Sequence, residues 1–341
     1  MAWTVDWAVS VGGQDRTAAM RPLLMEISVT DKEGSASDSC ELTFDDSDGL
    51  IALEGEGKPV AVTLAGVEVF SGMLDSIRSS GSRGGGRIIR MSAKGFDVRG
   101  KAKEPQTFHK DDASLEDFLS QSAQSAGYSL QLDPAFASVK RDWWGADNES
   151  FLALGQRLAR ELNGTFKLRD KRAVLVKRGG EQLSPVRGIV GQGGNVISWD
   201  IAPFTGRGTW TKARVEWFDR KQASYKQKDV SIELGRNLPE STNVVRLRAG
   251  DDEQAQAVVD GRKGEAEREG GEGSVEMDIT PEAQAEAPFI LSGARPGVDG
   301  TYRIASVTHR ANRSGGATTS LEIKQPGGEA GKDSRAGREA E

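Results

Sequence analysis

The segment GVDGTYRIASVTHRANRSGGATTSLEIK, residues 297–324, decides the fold of this chain. Apolar and polar residues alternate through YRIASVTH, a Ser-Gly-Gly turn follows, and TTSLEIK alternates again, which is typical of a β-hairpin. With the preceding FILSGARP, the segment extends over residues 289–324. An earlier segment, VTLAGVEVFSGMLDSIRSSGSRGGGRIIRMSAKG at residues 62–95, follows the same plan of strand, glycine corner, strand, Ser/Gly turn and return strand. Either the chain holds an internal duplication, or two glycine-turned hairpins resemble each other by chance.

Short strands separated by glycine turns account for most of the remaining sequence. The chain carries 42 glycines and 11 prolines without a collagen-like period. Runs such as WTVDWAVSV (residues 3–11) and SCELTFDD (residues 39–46) alternate apolar with polar residues. Several such runs at regular spacing are typical of a β-barrel or β-sandwich. The sequence therefore predicts a mainly β fold, and a true duplication would give it two similar β domains.

Helical periodicity is strongest in the middle of the chain. Residues 111–127 and 147–164 place apolar residues at helical spacing and end in Gly or Asn-Gly. An acidic residue is expected to cap the first helix, and Asp147 or Asn148 is expected to be the N-cap of the second. A short strand separates the helices, and a hairpin turning at Asp170 follows the second. This order predicts an α+β insertion of helix, strand, helix and hairpin between the β domains.

These changes of pattern divide the chain into four segments. We predict a first β domain at residues 1–104 and the α+β insertion domain at residues 105–188. A second β domain follows at residues 189–327, with one helix near residues 251–269. The tail at residues 328–341 has little to bury, so we expect it to be disordered or to be ordered by a partner.

The charge balance and the cysteine count exclude several classes of protein. The 341 residues include 45 Lys and Arg against 51 Asp and Glu, a formal net charge of −6. A basic excess, the usual signature of a domain that grips phosphates, is therefore absent. Cys40 is the single cysteine, which rules out an internal disulfide and a cysteine-cluster metal site. Neither a signal-peptide pattern nor a long apolar run is visible, so we expect a protein made in a reducing cytoplasm.

Catalytic and metal-binding chemistry has few candidate residues. The two histidines, His109 and His309, show neither HExxH spacing nor a cysteine partner. We interpret His109 as a solvated linker residue and His309 as a strand residue bonded to backbone or to a neighbouring strand. Paired acids lie at expected turns and helix starts, where Asp has local roles. The sequence therefore predicts no catalytic residue, no cofactor and no metal site.

Trp143 and Trp144 are adjacent in the run RDWWGADNES. Neighbouring residues of a strand face opposite ways, so at least one indole is expected in a core. An exposed pair of tryptophans can stack on a sugar or form a hot spot of a partner interface. We predict a core or interface role for the pair, and stacking on a sugar is the alternative.

In their order along the chain, these motifs resemble the phage late control D family. Its members are baseplate hub proteins of contractile tails, related to the T4-type hub and to the N-terminal part of the type VI secretion spike VgrG. Residues 148–176 are similar to the family's helix-and-hairpin segment. Residues 39–49, 57–66 and 69–77 are similar to its first barrel. The family's C-terminal motif is matched by Gly300, Tyr302, His309, Gly315 and Gly316. The resemblance extends over most of residues 3–324.

The resemblance implies a structural role in a phage tail. In that family two β-barrels per subunit flank an α+β insertion, which implies two similar β-barrel domains here, at residues 1–104 and 189–327. Three subunits form a ring whose barrels match a sixfold tail tube to a threefold spike. The implied partners are the chain itself as a homotrimer, the tail tube protein or a distal tube initiator, a separate spike protein, the tape measure protein in the lumen, and other baseplate proteins. DNA would pass through without specific binding. The implied location is the tail baseplate of the virion, assembled in the host cytoplasm, and no enzymatic activity is expected.

A second hypothesis comes from a different class of function. The chain would then be a cell-wall-degrading or glycan-binding protein of a phage tail, using Trp143, Trp144 and a pair of carboxylates. A hub is expected to form ring-shaped trimers without turnover of peptidoglycan, whereas an enzyme is expected to clear it.

Overall fold

The structure is a computed structural model that describes residues 3–53, 55–179, 183–205, 210–219, 222–232, 239–245, 249–333 and 335. Strands predominate in it, as predicted, and the predicted helices are present. Among these residues, no helix combines the length and the apolar character that a membrane span requires.

The first seven strands and one short helix form what we call the first half. Their bounds are β1 Trp7–Val11, β2 Gln14–Asp15, α1 Thr17–Met20, β3 Leu24–Lys32, β4 Ser39–Asp45, β5 Pro59–Leu64, β6 Val67–Ser82 and β7 Gly86–Lys94. Alternation along these strands turns one face inward, where Trp7, Ile27, Leu42 and Phe70 belong to a single buried core.

The insertion has its own small sheets, two helices and a separate core. Its elements are a 3₁₀ turn Lys101–Lys103, β8 Pro105–Ser114, α2 Leu115–Ser125, β9 Ser129–Leu132, a 3₁₀ turn Pro134–Phe136, β10 Lys140–Ser150, α3 Phe151–Glu161, β11 Gly164–Arg169 and β12 Arg172–Lys177. β8 pairs with β10, while β12 pairs with both β11 and β9. Apolar faces of both helices pack on these sheets around Phe118 and Phe151.

The remaining elements form what we call the second half and a side layer. The second half comprises β13 Val186–Ile189, β14 Val196–Ala202, β18 Glu272–Asp278, β19 Pro288–Ser292, β20 Gly300–Asn312 and β21 Gly316–Gly327. The side layer comprises β15 Lys212–Asp219, β16 Ser224–Ser231, β17 Thr242–Val244 and α4 Asp252–Arg268. Asp251 caps α4 by accepting a hydrogen bond from the backbone N–H of Gln254, as expected for an Asp at this position. The side layer has a core of its own, which the sequence did not predict.

Both halves belong to one 13-stranded sheet. The pairings of the described strands follow an open path, so the predicted closure into two barrels is not confirmed. The two halves are joined because β20 pairs with β3 over residues 306–312 and 26–32. We call this pairing the joint.

The same strand order occurs in each half. The first half reads β1-β5-β6-β7-β4-β3 across the sheet, and the second half reads β13-β19-β20-β21-β18-β14. The order in which the matched strands occur along the chain is also the same in both halves. One difference is that β1 pairs with β5 antiparallel, whereas β13 pairs with β19 parallel.

The match extends to the register of individual residues. Ser76 of β6 lies opposite Ser92 of β7, and Ser306 of β20 lies opposite Glu322 of β21. The residue numbers of the second pair exceed those of the first by 230. Both hairpins have an irregularity immediately before these serines. Chance similarity of two hairpins does not produce a common six-strand order and a common bulge. We therefore interpret the halves as an internal duplication.

β3 and β14 are matched in the same way. β3 pairs with β4 through Ile27 and Leu42, and β14 pairs with β18 through Trp199 and Val275. A register shift interrupts both ladders just before these pairs. Residue numbers of β14 therefore exceed those of their counterparts in β3 by 172.

The interpretation of His109 as a linker residue was wrong, since residues 105–114 are not a linker. They form β8, and the exposed His109 lies opposite Gly145 of β10. Phe108 is the single large apolar residue of this strand, so an alternating pattern is hardly visible in the sequence. Hydrogen bonding to β10, rather than burial, stabilises the strand.

The predicted N-caps of the two insertion helices are also wrong. Ser114 caps α2 and Ser150 caps α3, and each side chain accepts a hydrogen bond from the backbone N–H three residues later. Asn148 lies within β10, so α3 begins later than a cap at Asp147 or Asn148 would place it. Serine is as good an N-cap as aspartate, and the strand sets the position at which the helix can begin.

The tail begins where β21 ends, but its first residues pack on the second half. The backbone N–H of Gly331 donates to the carbonyl of Gly297 at 2.8 Å, and Ala330 is buried in the core of that half. Residues 334 and 336–341 lie outside the described residues, and the expectation of disorder there stays a prediction.

Candidate functional site

Gly300 and Tyr302 anchor the start of β20. Gly300 has a φ of +151°, and a Cβ at this position would lie 2.5 Å from the backbone nitrogen of Ala330. Only glycine therefore fits between the strand and the tail. Tyr302 is buried, and its hydroxyl donates to the carbonyl of Val298 at 2.6 Å. Burial raises the pKa of Tyr302 to about 12, so the ring acts as a neutral anchor.

His309 lies farther along β20, in the joint. Its ring is buried, Nδ1 is 3.1 Å from Oγ1 of Thr319 on β21, and its backbone lies opposite Val29 of β3. Burial lowers the pKa of His309, and a hydrogen bond with the Ala283 backbone together with the charge of Asp31 only partly opposes this. The interpretation of His309 as a strand residue bonded to a neighbouring strand agrees with these contacts.

Gly315 and Gly316 form the turn between β20 and β21. Gly316 has a φ of +86°, where only glycine is unstrained. The N–H of Gly315 donates to Oδ1 of Asn312, and a Cβ on Gly315 would lie 2.9 Å from that oxygen. All five motif residues therefore shape the β20–β21 hairpin and the joint.

We expect stability to fall below neutral pH because of His309. Its folded pKa lies below the ordinary value of about 6.5, so the unfolded chain takes up a proton that the folded chain refuses. The stabilising contribution is present above about pH 6.5 and is lost as the pH falls toward the lowered folded pKa. Chemical unfolding of the wild type and His309→Gln between pH 7.5 and 5 should show the wild-type advantage shrinking with acidity. A pH-independent difference would contradict this, and His109→Gln is the control for histidine number.

Polar side chains tie the joint together across its solvent-facing side. The hydroxyls of Thr30 and Thr308 are 3.1 Å apart, and Nε of Arg310 is 3.2 Å from Oε1 of Glu26. Cross-strand pairs of this kind add a few tenths of a kcal/mol up to about 1 kcal/mol each. They fix the register in which the two halves meet.

Lys167 connects the insertion to the joint. Its Nζ, on β11, donates to Oδ1 of Asp31 at 2.6 Å and to Oδ1 of Asp38 at 2.9 Å. Burial opposes ionisation of all three groups. The pKa of Asp31 nevertheless lies below its ordinary value because of Lys167, whereas burial and the charge of Asp31 raise the pKa of Asp38. We call these three residues the ion cluster.

A second set of polar contacts connects the insertion to the second half. Oγ1 of Thr165 donates to Oε1 of Glu286 at 2.8 Å, and Nε of Arg178 donates to Oγ1 of Thr165 at 3.1 Å. Arg303 of β20 donates to the carbonyl of Glu286 at 2.6 Å. Burial and the charge of Glu286 raise the pKa of Glu33 nearby. The insertion therefore holds both halves in one arrangement.

Sequence reasoning missed both sets of contacts. Lys167 and Asp31 are 136 positions apart, and each is an ordinary charged residue in its own segment. The sequence offers one signal for such contacts, namely charged residues that lie within strands between buried neighbours.

The two histidines and Cys40 are not brought together at one site. No cluster of three or more metal-ligating side chains occurs in the part of the chain that the structure describes. The two histidines lie in different sheets, β8 in one and β20 in another. Cys40 is buried in the first core, where burial raises the pKa of its thiol.

A cleft of about 640 Å³ lies between β10 and the side layer. Its charged side chains pair with one another, since Lys226 is 2.6 Å from Asp219 and Lys228 is 2.8 Å from Asp252. Lys226 also lies 5.5 Å from the ring centroid of Trp217. These contacts account for its polar lining without a bound ligand.

The two adjacent tryptophans have different environments. Trp144 is buried, stacks on Phe118 with ring centroids 5.3 Å apart, and donates from Nε1 to the carbonyl of Ala113 at 2.8 Å. Trp143 is exposed on the other face of β10. They do not form one exposed stacking surface, and only Trp143 is placed to meet a partner.

Three of the exposed large apolar side chains of the second half lie along β14 and just after it. They are Ile197, Trp199 and Phe204. β14 pairs on one edge with β18, and its other edge has no partner strand among the described residues. An exposed edge strand with large apolar side chains is typical of an assembly surface. We regard this edge as the candidate functional site.

Comparison with known proteins supports the fold but not a sequence family. No protein-family model and no curated protein matches the chain. Solved structures do match. The 43 kDa tail protein of prophage MuSo2 from Shewanella oneidensis aligns with a TM-score of 0.71 at 15% identity, over 94% of this chain and 98% of that one. A tail protein from Neisseria meningitidis MC58 aligns with a TM-score of 0.71 at 15% identity, over 94% and 97%.

A secretion-system protein has the same fold. An E. coli component of the type VI secretion system, structurally similar to the T4 tail proteins gp27 and gp5, aligns with a TM-score of 0.59 at 11% identity, over 95% of this chain and 78% of that one. The resemblance to baseplate hub and VgrG-like proteins is therefore confirmed at the level of the fold.

Proposed function

We propose that the chain is a structural hub of a contractile-type phage tail. It would act as a homotrimeric adaptor between a sixfold tail tube and a threefold spike and would form part of the central channel. The observation that carries this proposal is the duplication, because two matched halves per chain give six similar units in a ring of three chains. The fold shared with phage tail proteins supports the same role.

In this role each half acts as a barrel-like domain, as the resemblance implies. The open path of the isolated chain is compatible with it, since free strand edges can be paired by neighbouring subunits. The joint then provides one contact between consecutive units of the ring. The insertion, held by Lys167 and Arg178, fixes the angle between the two units of each chain.

The partners follow from position in such an assembly. The tail tube protein or a tube initiator would bind one face of the ring, and a separate spike protein the other. The tape measure protein would occupy the lumen, and other baseplate proteins would surround the ring. With a net charge of −6 per chain, DNA would pass without specific binding. The chain would be located in the virion tail, after assembly in the host cytoplasm, and would have no enzymatic activity.

The oligomeric state of the purified full chain tests this proposal. Native mass spectrometry and analytical ultracentrifugation should give a species of three chains, and a peptidoglycan zymogram should stay unchanged. A chain that remains monomeric at every concentration tested would contradict the hub. Clearing of the zymogram would favour the cell-wall-degrading alternative, for which Trp143 is the exposed aromatic residue.

A further inference from the structure

Among the strands that the structure describes, two edges are left unpaired at positions that the duplication relates to the joint. In the joint, residues 306–312 of β20 pair with residues 26–32 of β3. The counterpart of this part of β20 is residues 76–82 of β6, which pair with β7 on one side alone. The counterpart of β3 is β14, which pairs with β18 on one side alone. Each chain therefore has the two components of a second joint but does not assemble them.

We infer that residues 76–82 of β6 pair with β14 of a neighbouring copy of this chain, in antiparallel orientation and in the register of the joint. This rests on the proposed function, whose ring it extends by naming the contact between subunits. Residue numbers of β20 are lowered by 230 to give β6, and those of β3 are raised by 172 to give β14. The pair Arg310–Ser28 of the joint then corresponds to Ser80–Asp200, and the pair Ala311–Ile27 corresponds to Gly81–Trp199.

Burial in the joint shows what the second joint is expected to cover. Ile27 is 0% exposed, whereas its counterpart Trp199 is 42% exposed. On the opposing strand, His309 and Ala311 are buried, whereas their counterparts Ser79 and Gly81 are exposed. The positions that the joint buries are thus the ones left open on β6 and β14. A large apolar side chain kept exposed at a matched position indicates that another chain covers it.

The side chains of the two edges are complementary in size. Trp199 would lie directly opposite Gly81, which leaves room for an indole between the strands. In the joint the same places hold the medium-sized Ile27 and Ala311. Leu53, exposed beside Ile77 in a groove of about 360 Å³, adds apolar surface at the end of the β6 edge.

Their charges are complementary as well. Arg78 stands directly opposite Arg90 within the β6–β7 ladder, an unfavourable arrangement of like charges. In the inferred register Asp200 of the neighbouring copy lies diagonal to Arg78, on the same face and within reach of its long side chain. The joint has an ion pair near this place, between Arg310 and Glu26.

The backbone of β14 can form the required ladder. In the joint the N–H of Glu33 donates to the carbonyl of Ala305 and the N–H of Arg313 to that of Met25, so odd-numbered residues of β3 carry the hydrogen bonds. Their counterparts in β14 are 197, 199, 201 and 203. Only Pro203 lacks a donor, and it lies at the end of the ladder.

The contact is head-to-tail, because β6 and β14 are different surfaces. Such a contact closes into a ring when its rotation matches that of the joint. A ring of three chains then alternates three joints within chains with three between chains. Two edges prone to aggregation are thereby paired in the assembled protein.

Disulfide trapping tests the register. In a Cys40→Ala background we combine Ser80→Cys with Asp200→Cys, which the inference places opposite each other as a non-hydrogen-bonded pair. Their Cα atoms would be about 4.5 Å apart, inside the range for a disulfide. Mild oxidation should link chains into dimers and trimers on a non-reducing gel. Each single-cysteine variant should give no trimer, and Ser80→Cys with Ser198→Cys, displaced by two residues, should link far less.

A second pair of variants tests the burial that the joint predicts. Trp199 and Ile197 are both exposed on β14, but only the counterpart of Trp199 is buried in the joint, since Met25, the counterpart of Ile197, stays 41% exposed. Trp199→Asp should weaken association at least about tenfold, as expected for an interface tryptophan. Ile197→Asp should leave it within a factor of about three, and monomer unfolding should be unchanged by either.

The outcomes separate this inference from the proposed function. A trimeric mass with efficient linking of Ser80→Cys to Asp200→Cys supports both. A trimeric mass without this link, or with equal effects of the two β14 substitutions, overturns the inference and leaves the hub standing. A chain that stays monomeric contradicts the hub itself and the inference with it.

Discussion

Replacement of Lys167 by alanine is expected to lower the free energy of unfolding by about 2–4 kcal/mol. The substitution leaves Asp31 and Asp38 close together without their shared cation, and breaking a buried ion pair from one side is costly. The expected loss of stability lies below the upper end of the range for buried ion pairs because the Lys167 side chain is still 24% exposed to solvent. Urea unfolding followed by tryptophan fluorescence measures the change.

Arg169→Ala is the matched control, two positions along the same strand. Arg169 pairs with Glu68 at 3.1 Å, but both side chains are more than half exposed. Its loss should cost no more than about 1 kcal/mol. Equal effects of the two variants would show that the ion cluster is no more than a surface pair, and the insertion would then lose its role in holding the joint.

Phe151→Ala should destabilise the insertion by about 3–5 kcal/mol. Phe151 is the first residue of α3, fully buried, and its ring packs edge-on against Phe166 with centroids 5.4 Å apart and near Tyr128 at 5.7 Å. Alanine leaves a cavity where three aromatic rings meet, and a close-packed core closes such cavities only in part. Thermal unfolding monitored by near-ultraviolet circular dichroism reports the loss directly.

Leu152→Ala provides the comparison for Phe151. Leu152 is the next residue of the same helix, but it packs at the rim of the insertion core and is only partly buried. Its truncation should cost clearly less than that of Phe151, since less surface is removed from contact. A larger loss at Leu152 would mean that α3 turns a different face inward.

The β20–β21 hairpin and the helices of the insertion were predictable because their patterns are local. Alternation from Tyr302 to His309 and the Ser-Gly-Gly turn are features of contiguous sequence. The duplication was visible as a shared plan, but its proof needed pairings between distant strands. Ser76 and Ser306 become equivalent only through their partners on β7 and β21.

Features that depend on distant partners were not predictable. The polar strand β8 is stabilised by β10, and its sequence has almost no alternation. Closure into two barrels was expected from the resemblance, whereas the joint instead merges both halves into one open sheet. The exposed edge of β14 could not be recognised either, because Trp199 and Ile201 have the pattern of a buried strand. Exposure is a property of which neighbour is present.

Electron microscopy of the purified full chain tests the central claim most directly, since it shows copy number and symmetry together. The hub predicts ring-shaped particles with threefold symmetry, in which six similar β units succeed one another at about 60° around a central channel. Particles that contain a single copy, or a twofold dimer without a channel, would contradict it.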